Sequence, residues 1–439
     1  MASGGQSTYS LSAYGRLLRD NRDFRLLWFA QIVSELGDWF YAVAIYSLLL
    51  ELTGQARSVG LAVVLQLLPQ VFMAPMAGVI NDRLRRRSVM IFADIARVFI
   101  VLAMLLVSSP SMVWLIWILL FTETTMWALF EPGRTALIPS VTGGKDQIVL
   151  ANALSSMTWS INLAIGSGIG GLIAWKFGRE AVFVINAASF VLSAALLWAM
   201  KVDETHTRHL PPVRLRDFFD FKPTVEGFKY VRQEPRMWST LLVKAGMGLL
   251  GAHWVILPVF GERLFVWRES GTLSMSLLFG ARGVGALIGS LLSGHLARNQ
   301  PDRMRRGIFW GFLIVAAGYM ALGGADSLWT ACLFVILGHT GTSLCWVYST
   351  TMLHGMTEDR YRGRVFSADY AGLFLIMSVV SFAAAVMVDA GVSVRVVAFG
   401  TGVIGILPAM LWYAARGRYF GDGSRQVSKP ASAQRTDSR

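Results

Sequence analysis

The sequence predicts an all-α membrane protein of twelve transmembrane helices in two six-helix bundles, with both termini in the cytoplasm. Of its 439 residues, 54% are hydrophobic and only 15% are charged, and the mean hydropathy is +0.52. Soluble domains usually carry about a quarter charged residues. The apolar residues form stretches of about 20, the length that crosses a bilayer as a helix. A polar turn, GVINDRLRRR at 78–87, has a weaker echo, GHLARNQPDRMRR at 294–306, which indicates two similar halves.

The apolar stretches define the expected helices. Within lipid, each segment has to satisfy its own backbone hydrogen bonds, so we expect helices, and the alternating pattern of a β-barrel is absent from the sequence. The expected spans are 26–50, 57–80, 88–108, 112–137, 148–175, 180–200, 237–261, 272–297, 307–324, 328–354, 365–388 and 393–415.

The distribution of positive charge predicts the orientation. Of the 40 lysines and arginines, 31 fall on one side of the expected spans, six on the other and three inside them. Cytoplasmic loops carry an excess of these residues, so both termini are expected in the cytoplasm. The net charge of +13 is then explained by topology and by attraction to anionic lipid, without a nucleic-acid partner.

The same reading divides the chain into five segments. A short cytoplasmic segment precedes the first bundle, a basic cytoplasmic linker joins the bundles, and a polar tail, expected to be disordered, follows the second. The segments are 1–25, 26–200, 201–236, 237–416 and 417–439.

The linker contains a candidate amphipathic helix. Its apolar residues recur every three or four positions, which is typical of a helix lying on the inner membrane face. The alternative is a plain linker that packs on the bundle. The recurring residues are Phe218, Phe221, Val225, Phe228 and Val231.

The sequence offers no sign of an enzyme. The phosphate-binding pattern GxxxxGK[ST] is absent, so ATP hydrolysis is not expected to power the protein. No metal-ligand cluster and no nucleophile with a matching base can be recognised, so we expect no metal and no cofactor. Cys332 and Cys345 would lie roughly 20 Å apart on one helix and cannot pair with each other.

The turn at 78–87 carries a family signature, G-x-x-x-D-R-x-G-R-[RK], in which Arg85 replaces the inner glycine. Together with twelve spans in two sixes, the turn resembles that of the major facilitator superfamily, and the resemblance covers about residues 20–415. It implies a secondary transporter, working by alternating access and expected to be monomeric. The matching residues are Gly78, Asp82, Arg83, Arg86 and Arg87.

In such a fold this turn is expected to act as a conformational latch between the bundles. Asp82 can lie against the positive N-terminus of the eleventh helix. The arginines can pair with Asp94 or Asp369. The alternative is that the arginines only enforce topology.

Three stretches resemble the bacterial macrolide and siderophore exporters. They are SELGDWFYAVAIYSLLLELTGQARSVGL, FEPGRTALIPSVTGGKDQIVLANALSSMTWSINLAIGSGIGGLI and DRYRGRVFSADY. Part of the second is similar to the antiporter motif G-P-x-x-G-G, with Ser167 in place of the proline. The resemblance implies a drug:proton antiporter-like protein of the bacterial inner membrane.

Seven ionisable residues inside the expected spans are singled out, because an ionised side chain there costs about 2.5–3.5 kcal/mol or more. In a facilitator fold, the first, fourth, seventh and tenth helices line the central cavity, and six of the seven fall on them. The acidic ones lie in the first half and the basic ones in the second. They are Glu35, Asp38, Glu123, Lys244, His253, Arg282 and His339.

Two accounts of these charges remain open. They can bridge the halves in one state and separate in another, or they can bind a substrate that carries both types of charge, or a cation on the acidic side. Glu35 and Asp38 are three residues apart and share a helix face, which suits a proton-coupling pair. Asp38 is the first candidate and Glu123 the second, while Glu35 can also be structural. Lys244 can instead reach toward the membrane surface.

The expected substrate cavity combines the basic residues with aromatic ones, which can form an apolar wall around a drug-like molecule. Arg282 can alternatively be a packed ion-pair partner. The candidates are Tyr41, Trp127, Lys244, His253, Trp254, Arg282, His339 and Tyr348.

The resulting hypothesis is an exporter of an amphiphilic small molecule in exchange for protons, with substrate, protons and the lipid bilayer as its partners. One alternative is a flippase for lysophospholipid, because segregated charges suit a zwitterionic head group. Another is a membrane sensor or scaffold without transport activity.

Overall fold

The computed structural model describes residues 11–202, 204, 221–298, 300–358 and 361–420. Phe218 of the expected amphipathic helix and most of the expected tail lie outside the described residues.

The first bundle contains a short helix and six long ones. The short helix α1 precedes the membrane spans and was not expected from the sequence. The helices are α1 (Leu11–Asp20), α2 (Arg22–Thr53), α3 (Ala56–Arg83), α4 (Arg86–Ala103), α5 (Val113–Val141), α6 (Lys145–Phe177) and α7 (Arg179–Trp198).

The second bundle follows the linker helix α8 and contains the other six spans, of which the first is made of two helices. The helices are α8 (Lys222–Gln233), α9 (Pro235–Gly248), α10 (His253–Val259), α11 (Gly271–Ala297), α12 (Pro301–Gly323), α13 (Leu328–Met356), α14 (Arg362–Asp389) and α15 (Val394–Tyr419). Twelve helical segments of the described chain are long and apolar enough to cross a membrane, which confirms the predicted fold class.

The polar turns are shorter than the sequence indicated. In the first turn, α3 continues to Arg83 and α4 begins at Arg86. In the similar segment at 294–306, α12 begins at Pro301, because proline fits the first position of a helix, where its missing N–H is not needed. Much of the expected loop at 294–306 is therefore helical.

The seventh span is interrupted near its middle. Helix α9 ends at Gly248, and α10 begins at His253 after a turn. At the break, the Gly251 carbonyl accepts a turn hydrogen bond from the Trp254 N–H at 3.1 Å and a second one of 2.8 Å from Ser381 of α14. The close approach of α14 also explains Gly251, because a side chain there would collide with Met377.

The two ends of the bundles can be named from the chain. We call the side where α2 begins and α15 ends the terminal side, and the other the opposite side. On the opposite side, the Asp389 carboxylate of α14 accepts hydrogen bonds from the backbone N–H groups of Ala56 (2.7 Å) and Arg57 (2.8 Å), at the start of α3. A carboxylate is favoured at a helix N-terminus, so this contact joins the two bundles.

Further contacts close the same side. Ser47 of α2 and Thr272 of α11 share a hydrogen bond of 2.5 Å, and Arg263 donates to the Gly54 carbonyl at 2.7 Å. Where α6 crosses α11, Gly171 lies against Ser276 with no room for a side chain. The structure is thus a state in which the opposite side is closed.

The linker helix α8 packs on the second bundle. Its buried Val231 belongs to a small core with Met237, Leu353 and Val365. Val225 on the same helix is exposed.

Candidate functional site

A fully buried arginine lies near the middle of α4 and binds acidic side chains from three helices. The Arg97 Nη2 atom is 2.5 Å from Asp38 Oδ1 and 2.8 Å from Glu123 Oε1, and its Nε is 3.0 Å from the same Glu123 oxygen. Asp94 Oδ1, one turn earlier on α4, is 3.8 Å from Arg97 Nη1. We call these four residues the Arg97 cluster. Its three acids share one base.

Other contacts hold the guanidinium in place. The Arg97 Cζ atom lies 3.9 Å from the centroid of the Phe190 ring, and Nη1 donates to Ser34 Oγ at 3.3 Å. The Ser193 hydroxyl donates to Asp94 Oδ2 at 2.6 Å. Phe190 and Ser193 belong to α7, which therefore forms the back of the cluster.

The members of the cluster differ in exposure. The Asp38 side chain keeps 24% of its surface exposed and Glu123 10%, whereas Arg97 and Asp94 are fully buried. Asp38 is therefore the most exposed acid of this cluster.

Glu35 lies in a different network. Its carboxylate accepts hydrogen bonds from the amides of Gln31 (2.8 Å) and Asn162 (3.0 Å). Arg134 donates to Gln31 at 3.0 Å and forms an ion pair of 2.5 Å with Glu131. Neutral amides thus satisfy Glu35, in keeping with a structural role.

Lys244 does not reach for the membrane surface in this structure. It is fully buried, and its Nζ atom is 2.6 Å from Asp369 Oδ2 of α14. The rings of Trp346 and Tyr370 lie 4.4 and 4.6 Å from the ammonium group. The pair is balanced in charge and enclosed by aromatic rings, so it fixes α9 to α14.

Arg282, near the middle of α11, differs from these bases. Only 8% of its surface is exposed. Its Cζ atom lies 4.1 Å from the Trp254 ring centroid and 5.9 Å from that of Trp39. Its Nη1 atom has no hydrogen-bond partner, and between described residues Arg282 forms no ion pair.

Two histidines lie beside Arg282. The rings of His253 and His339 are 5.0 Å apart, and the Tyr319 hydroxyl is hydrogen-bonded to His339 Nε2 at 2.9 Å. His253 Nδ1 is 2.9 Å from the Leu250 carbonyl, which can only accept, so Nδ1 carries the proton. Its buried Nε2 atom has no partner. We call Trp254, Arg282 and these ring residues (His253, Tyr319 and His339) the Arg282 cluster.

Trp39 connects the two clusters. It follows Asp38 on α2, and its ring is nearly parallel to that of Trp254 across the bundle interface, with centroids 6.5 Å apart. Trp159 of α6 meets the Trp39 ring edge-on at 5.8 Å. An acid, an aromatic pair and a base therefore follow one another across the centre of the molecule.

Three of the residues expected to line the cavity have no described contact with the Arg282 cluster. Tyr41 is buried and packs on Phe183 of α7. Tyr348 is buried and donates to the Ser293 carbonyl at 3.0 Å, inside the second bundle. Trp127 is half-buried. Each of the two tyrosines therefore packs within its own bundle, Tyr41 in the first and Tyr348 in the second.

Arg86 and Arg87 of the turn at 78–87 contact residues of the first bundle and the start of the linker. Arg86 lies 3.7 Å from Asp82, one turn away, and donates to the Ala136 carbonyl at 2.9 Å. Arg87 donates to the Met200 carbonyl, and Glu204 accepts from the backbone N–H groups of both Arg86 and Arg87.

The acids expected to pair with the turn have other partners. Asp94 lies against Arg97 and Asp369 against Lys244, because both carboxylates are buried at the level of the bundles' own bases. Asp82 is 74% exposed on its side chain. Gly78 and Arg83 lie on the last turns of α3.

Sequence reasoning missed the residue that organises the first bundle. Arg97 was counted only as a basic residue inside a span, although its i,i+3 spacing from Asp94 indicates an intramembrane ion pair. Tyr319 carried no such signal, because a tyrosine in an apolar span resembles any packing residue.

Metal and redox chemistry find no support in the described part of the chain. No group of three or more His, Cys, Asp or Glu residues there can hold a metal ion. Cys332 and Cys345 are both free thiols.

The sequence profile of the transmembrane secretion effector family matches residues 16–411. The chain belongs to this family of the major facilitator superfamily. It is 25% identical over 373 residues to macrolide efflux protein A of Streptococcus pyogenes, covering 83% of this chain and 89% of that protein. It is also 25% identical over 364 residues to enterobactin exporter EntS of Shigella boydii, covering 80% and 81%.

A further relative aligns over less of its length. The chain is 25% identical to the MFS-type transporter YfiS of Bacillus subtilis over 228 residues, which are 52% of this chain and 53% of that protein. The alignment thus spans about half of that relative.

Solved transporters share the fold. A bacterial homologue of the human lysosomal transporter Spinster, inward-facing and unoccupied, gives a TM-score of 0.66 at 16% identity and covers 95% of this chain and 98% of that one. A POT family transporter in complex with 5-aminolevulinic acid gives 0.73 at 10% identity, covering 91% and 97%. At these identities the likeness concerns the fold alone.

Proposed function

We propose that this transporter exports an amphiphilic small molecule across the bacterial inner membrane in exchange for protons. Its relatives include proteins named as exporters of a macrolide and of enterobactin. Both termini would lie in the cytoplasm, because the terminal side carries most of the lysines and arginines.

The Arg97 cluster is the single observation that carries the proton coupling. Three carboxylates surround one guanidinium, and all four groups are buried or nearly so. With every acid ionised, the cluster would hold two unbalanced negative charges inside the membrane, where uncompensated charge is costly. Protonation of one carboxylate lowers that cost, and its deprotonation restores the unbalanced negative charge.

Competition for Arg97 provides the coupling step. Asp38 and Glu123 both bind the Nη2 atom of Arg97, while Asp94 approaches the other terminal nitrogen. When Asp38 is protonated, Glu123 keeps the guanidinium and α2 is released from α4. When Asp38 loses its proton, α2 is drawn back. Because Trp39 follows Asp38, this movement shifts the aromatic face next to Arg282.

Alternating access then requires two closures. The opposite side is held by Asp389 at the start of α3 in the present state. In the other state, the terminal side would be held by the turn at 78–87, with the exposed Asp82 carboxylate against the N-terminus of α14. The latch thus belongs to the state opposite to the one described here.

The coupling is tested in proteoliposomes with an imposed pH gradient. Transport of radiolabelled erythromycin, 2-naphthoate and fluorescent lysophosphatidylcholine is measured for the wild type and for Asp38→Asn and Glu123→Gln. For any probe that the wild type transports, we expect the gradient-driven accumulation to be at least tenfold lower in both variants than in the wild type. Exchange of probe across the membrane without a gradient should persist, since a permanently neutral group still allows the bundles to rock.

Glu51→Gln serves as the matched control, because Glu51 is an exposed acid paired with Arg179 at the opposite end of α2. Unchanged gradient-driven transport in both cluster variants would rule out this coupling site. Movement of lysophosphatidylcholine alone, independent of the gradient, would favour the lipid flippase instead.

A further inference from the structure

The Arg282 cluster contains a positive charge that no acidic residue of the described chain neutralises. Each of the other three buried lysine and arginine side chains has an acid at hand: Arg97 has Asp38 and Glu123 within 2.8 Å, Arg134 has Glu131 at 2.5 Å, and Lys244 has Asp369 at 2.6 Å. Between described residues, Arg282 has none, although it is 92% buried, as its 8% exposure shows. Burying an unpaired charge is unfavourable unless something compensates it.

The aromatic rings around Arg282 compensate only part of this cost. A guanidinium over an indole face is attracted by the ring's negative face, and the Arg282 Cζ atom lies 4.1 Å from the Trp254 centroid. The N–H donors of a guanidinium lie in its own plane, so stacking leaves them free. Consistent with this, Arg282 Nη1 is buried without a partner.

A second unpartnered atom lies in the cluster; because His253 Nδ1 carries the proton, Nε2 is an acceptor, which suits a hydroxyl or N–H donor of a ligand and not its anion. His253 Nε2 is buried, belongs to a side chain that is 94% buried given its 6% exposure, and has no hydrogen-bond partner. The His253 ring lies 5.5 Å from that of Trp254, the same ring that Arg282 covers. Buried polar atoms without a partner are uncommon in native proteins, and Arg282 Nη1 and His253 Nε2 lie in the same cluster.

The position of the cluster also suits a transported molecule. Arg282 lies near the middle of α11, His253 starts α10 at the interruption of the seventh span, and Trp39 comes from the other bundle. Transporters bind their substrates near the midplane, at the junction of the halves, where helices are broken.

We infer that the Arg282 cluster binds the anionic group of the substrate, and that the substrate is a flat aromatic amphiphile bearing a carboxylate or a similarly planar anion. The guanidinium donates two parallel hydrogen bonds to the anion. The faces of Trp39 and Trp254 pack on the substrate's ring. This inference rests on the proposed export function and names the substrate class of that site.

The same assignment explains why the charges are segregated. The anion neutralises Arg282 in the second bundle, while the proton neutralises Asp38 in the first. Each state that crosses between sides then carries less charge at the interface, because Arg282 is neutralised in the substrate-loaded state and Asp38 is neutralised in the protonated state.

Binding of matched probes tests the inference. Purified protein in lipid nanodiscs is titrated calorimetrically with 2-naphthoate, with its neutral analogue 2-naphthamide and with the cation 2-naphthylmethylammonium. We expect naphthoate to bind about tenfold to a hundredfold more tightly than the amide, as charge-assisted hydrogen bonds do. The cation should bind no better than the amide.

Variants assign the preference to the cluster. Arg282→Gln should bind naphthoate and naphthamide equally, and Arg282→Lys should recover part of the difference, because lysine restores the charge without the planar fork. Arg179→Gln removes an arginine outside the cluster, at the start of α7, and should keep the full preference. Thermal unfolding of each variant verifies that it is folded.

The possible outcomes are distinct. Equal binding of naphthoate and naphthamide by the folded wild type, or a preference for naphthoate that survives Arg282→Gln, overturns the inference. If erythromycin is exported with protons while naphthoate is not bound selectively, the export function stands and this assignment fails. If naphthoate binds selectively but no probe moves with protons, the substrate assignment stands and the export function fails.

Discussion

The Arg97 cluster and the Arg282 cluster both place an arginine near the middle of a transmembrane helix, yet their surroundings are opposite. Arg97 is enclosed by three carboxylates, a serine hydroxyl and the Phe190 ring. Arg282 is surrounded by indole, imidazole and phenol rings, and between described residues no carboxylate pairs with it. One arginine is over-supplied with negative charge and the other receives none.

The difference shows that the role of a buried charged residue can be inferred only when its interaction partners are known. A base saturated by acids of its own bundle can act only on those acids, and hence on their protons. A base without partners in the protein is available to something that enters. Proton and substrate would then be handled in separate bundles, connected through Asp38, Trp39 and Trp254.

The largest expected effect comes from removing Arg97. Arg97→Gln leaves three buried carboxylates without a base, and breaking a buried ion pair in this way typically costs about 3–5 kcal/mol. We expect thermal unfolding in detergent to shift down by many degrees, and Arg97→Lys to restore part of the loss. Combining Arg97→Gln with Asp38→Asn should recover stability, because the uncompensated charge decreases. A midpoint unchanged in Arg97→Gln would contradict the cluster's charge balance.

Removing Arg282 should have the opposite sign. Arg282→Gln takes away a buried charge that lacks an acidic partner, so the empty protein should become slightly more stable, by roughly 1 kcal/mol, or stay unchanged. The measurement is the same thermal unfolding without added probe. Strong destabilisation, comparable with that of Arg97→Gln, would mean that Arg282 is a structural residue and that the two clusters are alike.

A smaller effect is expected at the closure outside both clusters. Asp389→Asn weakens the contact with the start of α3, which is worth about 1 kcal/mol for an acid at a helix N-terminus. Distances between spin labels on the opposite side should broaden toward open conformations, whereas Asp326→Asn, an exposed acid on the same side, should leave them unchanged. Identical distance distributions in Asp389→Asn and wild type would show that this contact does not hold the present state.

The elements predicted best are the ones that depend on local pattern. Spans such as 272–297 and 328–354 agree closely with α11 and α13, because hydropathy and length alone decide whether a segment crosses lipid. The interruption of the seventh span was not predicted. It depends on the approach of Ser381 and Met377 from α14, which no local pattern records.

The residues of the site divide in the same way. Asp38, Glu123, His253, Arg282 and His339 stood out because ionisable groups are expensive in a membrane, so composition alone marked them as functional candidates. Which of them pair was decided by the packing of α2, α4, α5 and α7, and it was this packing that made Arg97 a centre and took Asp94 away from the polar turn.

The sequence by itself therefore determined the twelve helices and most of the costly charges, since both follow from the free energy of transferring residues into lipid. Only the tertiary structure decided which charges neutralise one another and which remains without a partner. That outcome depends on distances of a few ångströms between helices far apart in the chain, and the energy of a charge pair changes steeply over that range.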